Sequence, residues 1–346
     1  MESSGGGRGD ERSRAFDFDL NVELEFDRIG REDEREPLGG ELEPAPFVSE
    51  TPAEGAAPVR PSGPAAKPRP RKLPAERGPR SARSETLARI LWAIPWIVYA
   101  VTIVAVGGLL FAGAMIAFAF IGLSELFRMA SADRPLQIVA FVASAGMIVA
   151  AYYGSSFQIV LAGAAAFPVM FCVAATRGSI DGVTRSMAMT AFGVLWIGLP
   201  FAHAVLLREL PLHGGALLIN VLVATFVADT SAYAVGRMVG RHKLAPDLSP
   251  NKTMEGMIGG FIGGTMGFWF AGLYQDWLPG IDALLMGMVI AVLAPMGDLF
   301  ESMIKRDLGA KDSGGVFGPH GGVLDRLDAV LFTIVAGYYL SIAFVY

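Results

Sequence analysis

A chain of 346 residues that is 53% hydrophobic and only 18% charged, with a positive mean hydropathy, is excluded from the ordinary water-soluble class. Its formal charge of -5 averages two unlike parts, a polar first quarter and an apolar remainder, and offers no basic footprint for nucleic acid. The single cysteine, Cys172, excludes an intrachain disulfide or a cysteine metal cluster and reads as a small buried hydrophobe.

Residues 1–86 are polar, charged and rich in Pro and Gly, acidic at first and basic over 60–89, where nine Lys/Arg stand against two Glu. Such a segment has too little apolar surface to offset the entropy of ordering, and it reads as a disordered tail. No apolar h-region precedes residue 86, so the first apolar helix is expected to direct insertion, with the basic flank holding the N-terminus in the cytoplasm.

From 90 to 124 no residue is charged, and 35 helical residues would reach about 52 Å against a hydrocarbon core of about 30 Å. Two short helices turning near Gly107 and Gly108 fit better than one. Further spans are expected at 135–152, 155–175, 186–207, 214–235, 255–274, 281–300 and 326–346, which makes about nine. The expectation is therefore an all-α polytopic membrane protein: a tail over 1–86 and a transmembrane domain over 87–346. With the N-terminus inside, Arg128, Arg134, Arg177, Arg185, Arg237, Arg241, Lys243, Lys252, Lys305, Arg306 and Lys311 fall on the inner side and only Arg208 outside. Gly256, Gly260 and Gly264 recur at the spacing that lets membrane helices approach closely.

Chemistry concentrates in two polar segments on one predicted side. The span 281–300 ends in Asp298, a carboxylate that is costly there unless it meets water, a cation or a metal. Beyond it, 302–328 carries Lys305, Arg306, Lys311, Arg326 and six glycines, a set suited to polyphosphate and to tight turns that aim N–H groups at oxyanions. Asp325 and Asp328 open the last span. Asp298 and Asp325 could face each other across the loop and hold magnesium with substrate oxygens and water, or each could pair with Lys305, Arg306 or Arg326. His320, between Pro319 and Gly321, is assigned a positioning role on phosphate. The second segment contains Asp229, then Ser249-Pro250-Asn251-Lys252-Thr253 directly before a helix, where hydroxyls and free N–H groups make an anion site or simply a cap.

The run Ser302-x-x-Lys305-Arg306-x4-Lys311-Asp312-x-Gly314-x2-Phe317-Gly318-x-His320-Gly321-Gly322-x-x-Asp325-Arg326-x-Asp328 resembles the signature of the phosphatidate cytidylyltransferases, or CDP-diacylglycerol synthases. The Asp229-x-x-Ala232-Tyr233 segment, Gly236-Arg237 and the 249–253 run are similar to further motifs of that family. The resemblance covers roughly 88–346. It implies an integral membrane enzyme, dimeric and magnesium-dependent with a second cation suggested, that makes CDP-diacylglycerol and pyrophosphate from CTP and phosphatidic acid. Carried over, the metal ligands fall on Asp298 and Asp325; Lys305, Arg306 and Lys311 join them in catalysis. Ser249, Lys252, Ser302, His320, Arg326, Asp229 and Asp328 would bind substrate. The site is expected on the cytoplasmic face of a bacterial inner membrane. The rival readings are a CTP-dependent polyprenol kinase and a polytopic transporter, and the latter expects ionisable groups near the bilayer midplane.

Overall fold

The computed structural model describes residues 98–246, 248–314 and 321–346. The expected tail over 1–86, Phe317, Gly318 and His320 therefore lie outside the described residues. Residues 98–106 are helical. Eight helices follow: α1 (Gly108–Met129), α2 (Gln137–Tyr153), α3 (Ser156–Ala175), α4 (Val183–Arg208), α5 (Gly214–Val239), α6 (Met254–Gly272), α7 (Gly280–Asp307) and α8 (Leu324–Phe344).

Among the described residues six of these, α1, α3, α4, α5, α7 and α8, are long and apolar enough to cross a membrane. Six of the expected nine spans thus meet the length and composition of a membrane helix among the described residues. Helix α2 falls short in length, and α6 is not one of the six. The fold is also not purely helical. Between α5 and α6 two antiparallel strands, β1 (Lys243–Ala245) and β2 (Ser249–Thr253), pair with Lys243 opposite Thr253 and Ala245 opposite Ser249.

The long apolar run beginning at 90 breaks at Gly107, where φ is 65°, with Gly108 at 58°. A break frees backbone groups that lipid cannot satisfy, so side chains must do it. The guanidinium of Arg208 donates to the carbonyls of Val104 and Ala105, and the Glu209 carboxylate accepts the Gly108 N–H at 3.0 Å. The lone cation of the expected outer side is thereby committed to repairing the first helix. At the same end His213 stacks on Trp277, and Asn220 exchanges two amide hydrogen bonds of 3.0 Å with Gln275.

Small residues set the closest helix pair. A Cβ on Gly260 would lie 2.9 Å from Ala232 Cβ and 3.0 Å from the Ala228 carbonyl; one on Gly264 would lie 2.8 Å from Ala228 Cβ. The glycine spacing is therefore a real contact face between α5 and α6. Cys172, expected to be buried, is exposed on α3, together with Phe157, Leu161, Phe167 and Phe171. In a membrane protein an apolar residue needs no protein cover, because lipid serves as well.

Candidate active site

Helix α7 does not stop where its apolar run stops. It continues to Asp307, so the segment expected as loop from 301 is helical for two more turns, and Asp298, Glu301, Ser302 and Lys305 recur at i, i+3, i+4 and i+7 on one face. Gly297 brings that face against α8. A Cβ there would stand 2.5 Å from the Asp328 carbonyl oxygen and 3.0 Å from Ala329 Cα. One turn on, Phe300 packs against Trp196 of α4 and Phe332 of α8, with ring centroids at 5.2 and 5.3 Å. Replacing Gly297 with valine must push α7 from α8 and shift both Asp298 and Glu301. We expect kcat/KM to fall about a hundredfold, as a displacement of about 1 Å does; an initial-rate comparison with wild type checks this.

The carboxylates and lysines form one connected row. Lys252, from β2, meets Asp298 Oδ2 at 2.6 Å, and Ser302 Oγ lies 3.5 Å from Asp298 Oδ1. Asp229, on α5, interacts electrostatically with both Asp298 and Lys252. Asp298 in turn acts on Asp328, which also faces Glu301 and accepts the Ala329 N–H at 2.7 Å. Glu301 is fully buried, with Lys305 Nζ 3.4 Å away, and Lys305 reaches across to Asp325 Oδ1 at 2.7 Å. Asp298 and Asp325 are thus linked through Asp328, Glu301 and Lys305, and each is held by a lysine.

Asp325 sits in the first turn of α8, at the opening of the last span as expected. Its Oδ2 accepts three donors: the Ser313 N–H at 3.0 Å, the Ser313 hydroxyl at 2.9 Å and the Gly322 N–H at 2.7 Å. Of the glycines expected to aim N–H groups at an oxyanion, Gly322 does so, and its oxyanion is the protein's own carboxylate. Gly321 supports this with φ at 85°, in the left-handed region.

Of the two readings of the 249–253 segment, an anion site or a cap, the structure shows the cap. The segment is a strand, and the residue that caps α6 is Thr253, whose Oγ1 accepts the Gly256 N–H at 3.1 Å. Ser249 opens the strand and Lys252 points from it to Asp298. The hairpin is secured by Glu255, in the first turn of α6 and outside the six long apolar spans. Its carboxylate takes the N–H of Arg241 at 3.0 Å, the N–H of His242 and, at 2.6 Å, His242 Nδ1. These donors, the Arg241 N–H first, hold its pKa down at about 2.

Arg306, Lys311 and Arg326 are exposed around this row, and Arg306 makes a long 3.4 Å contact to the Ala310 carbonyl. His320 lies outside the described residues. Two carboxylates escaped the sequence reading: Glu301, placed there at the start of a loop, and Glu125, which follows the uncharged run. Both are fully buried. For Glu301 the signal was available in the i, i+3, i+4, i+7 spacing with Asp298, Ser302 and Lys305. Glu125 left no signal, since nothing local distinguishes it from an interfacial glutamate.

Among the described residues no three His, Cys, Asp or Glu side chains are arranged to hold a metal by themselves. The donor chemistry nonetheless suits a divalent cation. Five carboxylates, Asp229, Asp298, Glu301, Asp325 and Asp328, outnumber the two lysines that contact them, and magnesium is usually held by one or two carboxylates with substrate phosphates and water.

Residues 87–344 match the model of the cytidylyltransferase family. A phosphatidate cytidylyltransferase of Bacillus subtilis (strain 168) is 35% identical over 151 residues, 43% of this chain and 56% of the relative. One from Synechocystis sp. is 29% identical over 283 residues, covering 73% of this chain and 96% of the relative. The uncharacterized protein YnbB of Escherichia coli (strain K12) is 35% identical over 166 residues, 47% of this chain and 56% of the relative. The chain thus spans about half the length of the first curated relatives it matches.

Proposed function

The chain belongs to the cytidylyltransferase family, and on that premise we propose that it transfers the cytidylyl group of CTP to phosphatidic acid, giving CDP-diacylglycerol and pyrophosphate. The observation that carries this reading is the 2.6 Å contact of Lys252 with Asp298, which joins the two polar segments into one site rich in both charges. Relatives from bacteria bear the name of this activity. The same reading makes the chain a homodimer of the bacterial inner membrane with its site on the cytoplasmic face.

The phosphate of phosphatidic acid is already anionic at neutral pH, so no side chain need act as a strong base. An oxygen of that phosphate bonds to the α-phosphorus of CTP while the bridging bond to the β-phosphate breaks, its electron pair leaving with pyrophosphate; no proton has to move. The difficulty is bringing two polyanions together in line. Lys252 and Lys305 stand on the row itself, and the exposed Arg306, Lys311 and Arg326 surround it as phosphate donors. Ser249, Ser302, Asp229, Asp328 and His320 complete the substrate contacts. A magnesium ion held by Asp298 and Asp325, with a second cation beside it, would neutralise phosphate charge. The exposed apolar face of α7 before Asp298, with Val289, Val292 and Met296, suits acyl chains entering sideways from the inner leaflet.

The test is product identification with CTP labelled separately at the α- and γ-phosphates. The α-label is expected in the lipid and the γ-label in pyrophosphate, with the reaction lost in EDTA and restored by magnesium. A γ-label appearing in the lipid would overturn the reading in favour of a lipid kinase.

A further inference from the structure

The buried carboxylate of Glu125 lies outside the row of charges just described, on the last turns of α1, yet both of its oxygens are engaged by the segment that carries Asp325. Oε1 accepts the Val323 N–H at 3.0 Å; Oε2 accepts the Leu324 N–H at 3.0 Å and the Ser313 hydroxyl at 3.2 Å. Val323 is the N-cap and Leu324 the first residue of α8, where N–H groups have no partner within the helix and a negative charge is favoured by the helix dipole. Glu125 thus caps α8 from another helix.

Ser313 Oγ lies within reach of two carboxylates, Glu125 Oε2 and Asp325 Oδ2, but has a single proton to give. It therefore ties the orientation of one carboxylate to the other. Two glycines make room for this arrangement: a Cβ on Gly314 would stand 2.5 Å from Glu125 Oε1, and one on Gly322 would overlap both Ser313 Oγ and the Glu125 carboxylate. From these contacts we infer that Glu125 is a positioning residue: it fixes the start of α8 and Ser313 so that Asp325 presents Oδ1 to Lys305 and to a divalent cation. This rests on the proposed reading of Asp325 as a metal ligand. A glutamine at 125 keeps the size but accepts through one oxygen and turns an NH2 toward the remaining donors, leaving at least one buried donor unpaired.

The test uses the detergent-solubilised full chain and Mn2+ as probe, followed by its electron paramagnetic resonance signal. Glu125→Gln is expected to raise the free Mn2+ needed for half-saturation at least fivefold, and Asp325→Asn more than that. Turnover by Glu125→Gln should return to within twofold of wild type at raised Mn2+, a rescue that a merely unstable protein would not show. Wild-type Mn2+ binding in Glu125→Gln, with weakened binding in Asp325→Asn, overturns the inference and leaves the parent reading standing. Unchanged binding in Asp325→Asn removes both. Where Glu125→Gln does not fold, Ser313→Ala decides: a shift of threefold or more is expected, and none overturns the inference.

Discussion

Asp298→Ala is expected to lower kcat/KM about a thousandfold with only a modest loss of stability. The activity estimate follows from removing a charged group that places neutralising charge at reacting phosphates, where one lost donor already costs about a hundred- to a thousandfold. The stability estimate follows from geometry. Although the two side chains are 23% and 31% accessible, the Lys252 Nζ itself is buried, so the variant leaves that ammonium with Asp229 as its remaining electrostatic partner among the described residues, at a cost of about 1–3 kcal/mol. Asp298→Asn should lose as much activity as the alanine variant, because shape without charge does not help. Lys252→Ala should lose less, about ten- to a hundredfold, since other cations surround the row. Steady-state kinetics beside thermal unfolding of each variant read both effects; activity within tenfold of wild type in Asp298→Ala would remove that residue from the mechanism.

Asp298, Lys252 and Asp325 were legible in the sequence because each breaks a pattern: a charge at the end of an apolar run, or a polar cluster between two runs. The close-packing face of α6 was legible as a spacing, since Gly256, Gly260 and Gly264 fall on one helical face, but its partner α5 was not. What escaped reflects what hydropathy measures. It marks where apolar side chains end, whereas a helix ends where its hydrogen-bond ladder ends, and at α7 these differ by two turns. Glu301 was misplaced for that reason. Strand β2 was hidden by its shortness and by Pro250, which a two-stranded edge tolerates and a helix or inner strand would not. Glu125 depends on partners 188 to 199 residues away, so no local window contains it. Cys172 failed on a different ground, because apolarity in a membrane chain predicts burial from water, not burial in protein.

Asp325→Ala should cost the fold more than Asp298→Ala does. Asp325 is one of the few side chains here whose loss damages function and fold together. Its Oδ2 holds two backbone N–H groups and a hydroxyl, and its Oδ1 holds Lys305, whose side chain is only 14% accessible and whose other carboxylate, Glu301, is fully buried. Removing one partner of a buried charge pair costs about 3–5 kcal/mol, and each orphaned donor adds about 1–3 kcal/mol unless water reaches it. For a domain of this size about 1 kcal/mol moves the unfolding midpoint by about 2–4 °C, so the apparent midpoint should drop by about 10 °C, with activity lost. Asp325→Asn separates the two contributions: its amide oxygen can still accept from Ser313 and Gly322, which should recover part of the midpoint, but it offers Lys305 no charge and phosphate chemistry no anionic ligand. A midpoint restored without activity is the expected result; activity restored along with it would mean that Asp325 serves the fold alone.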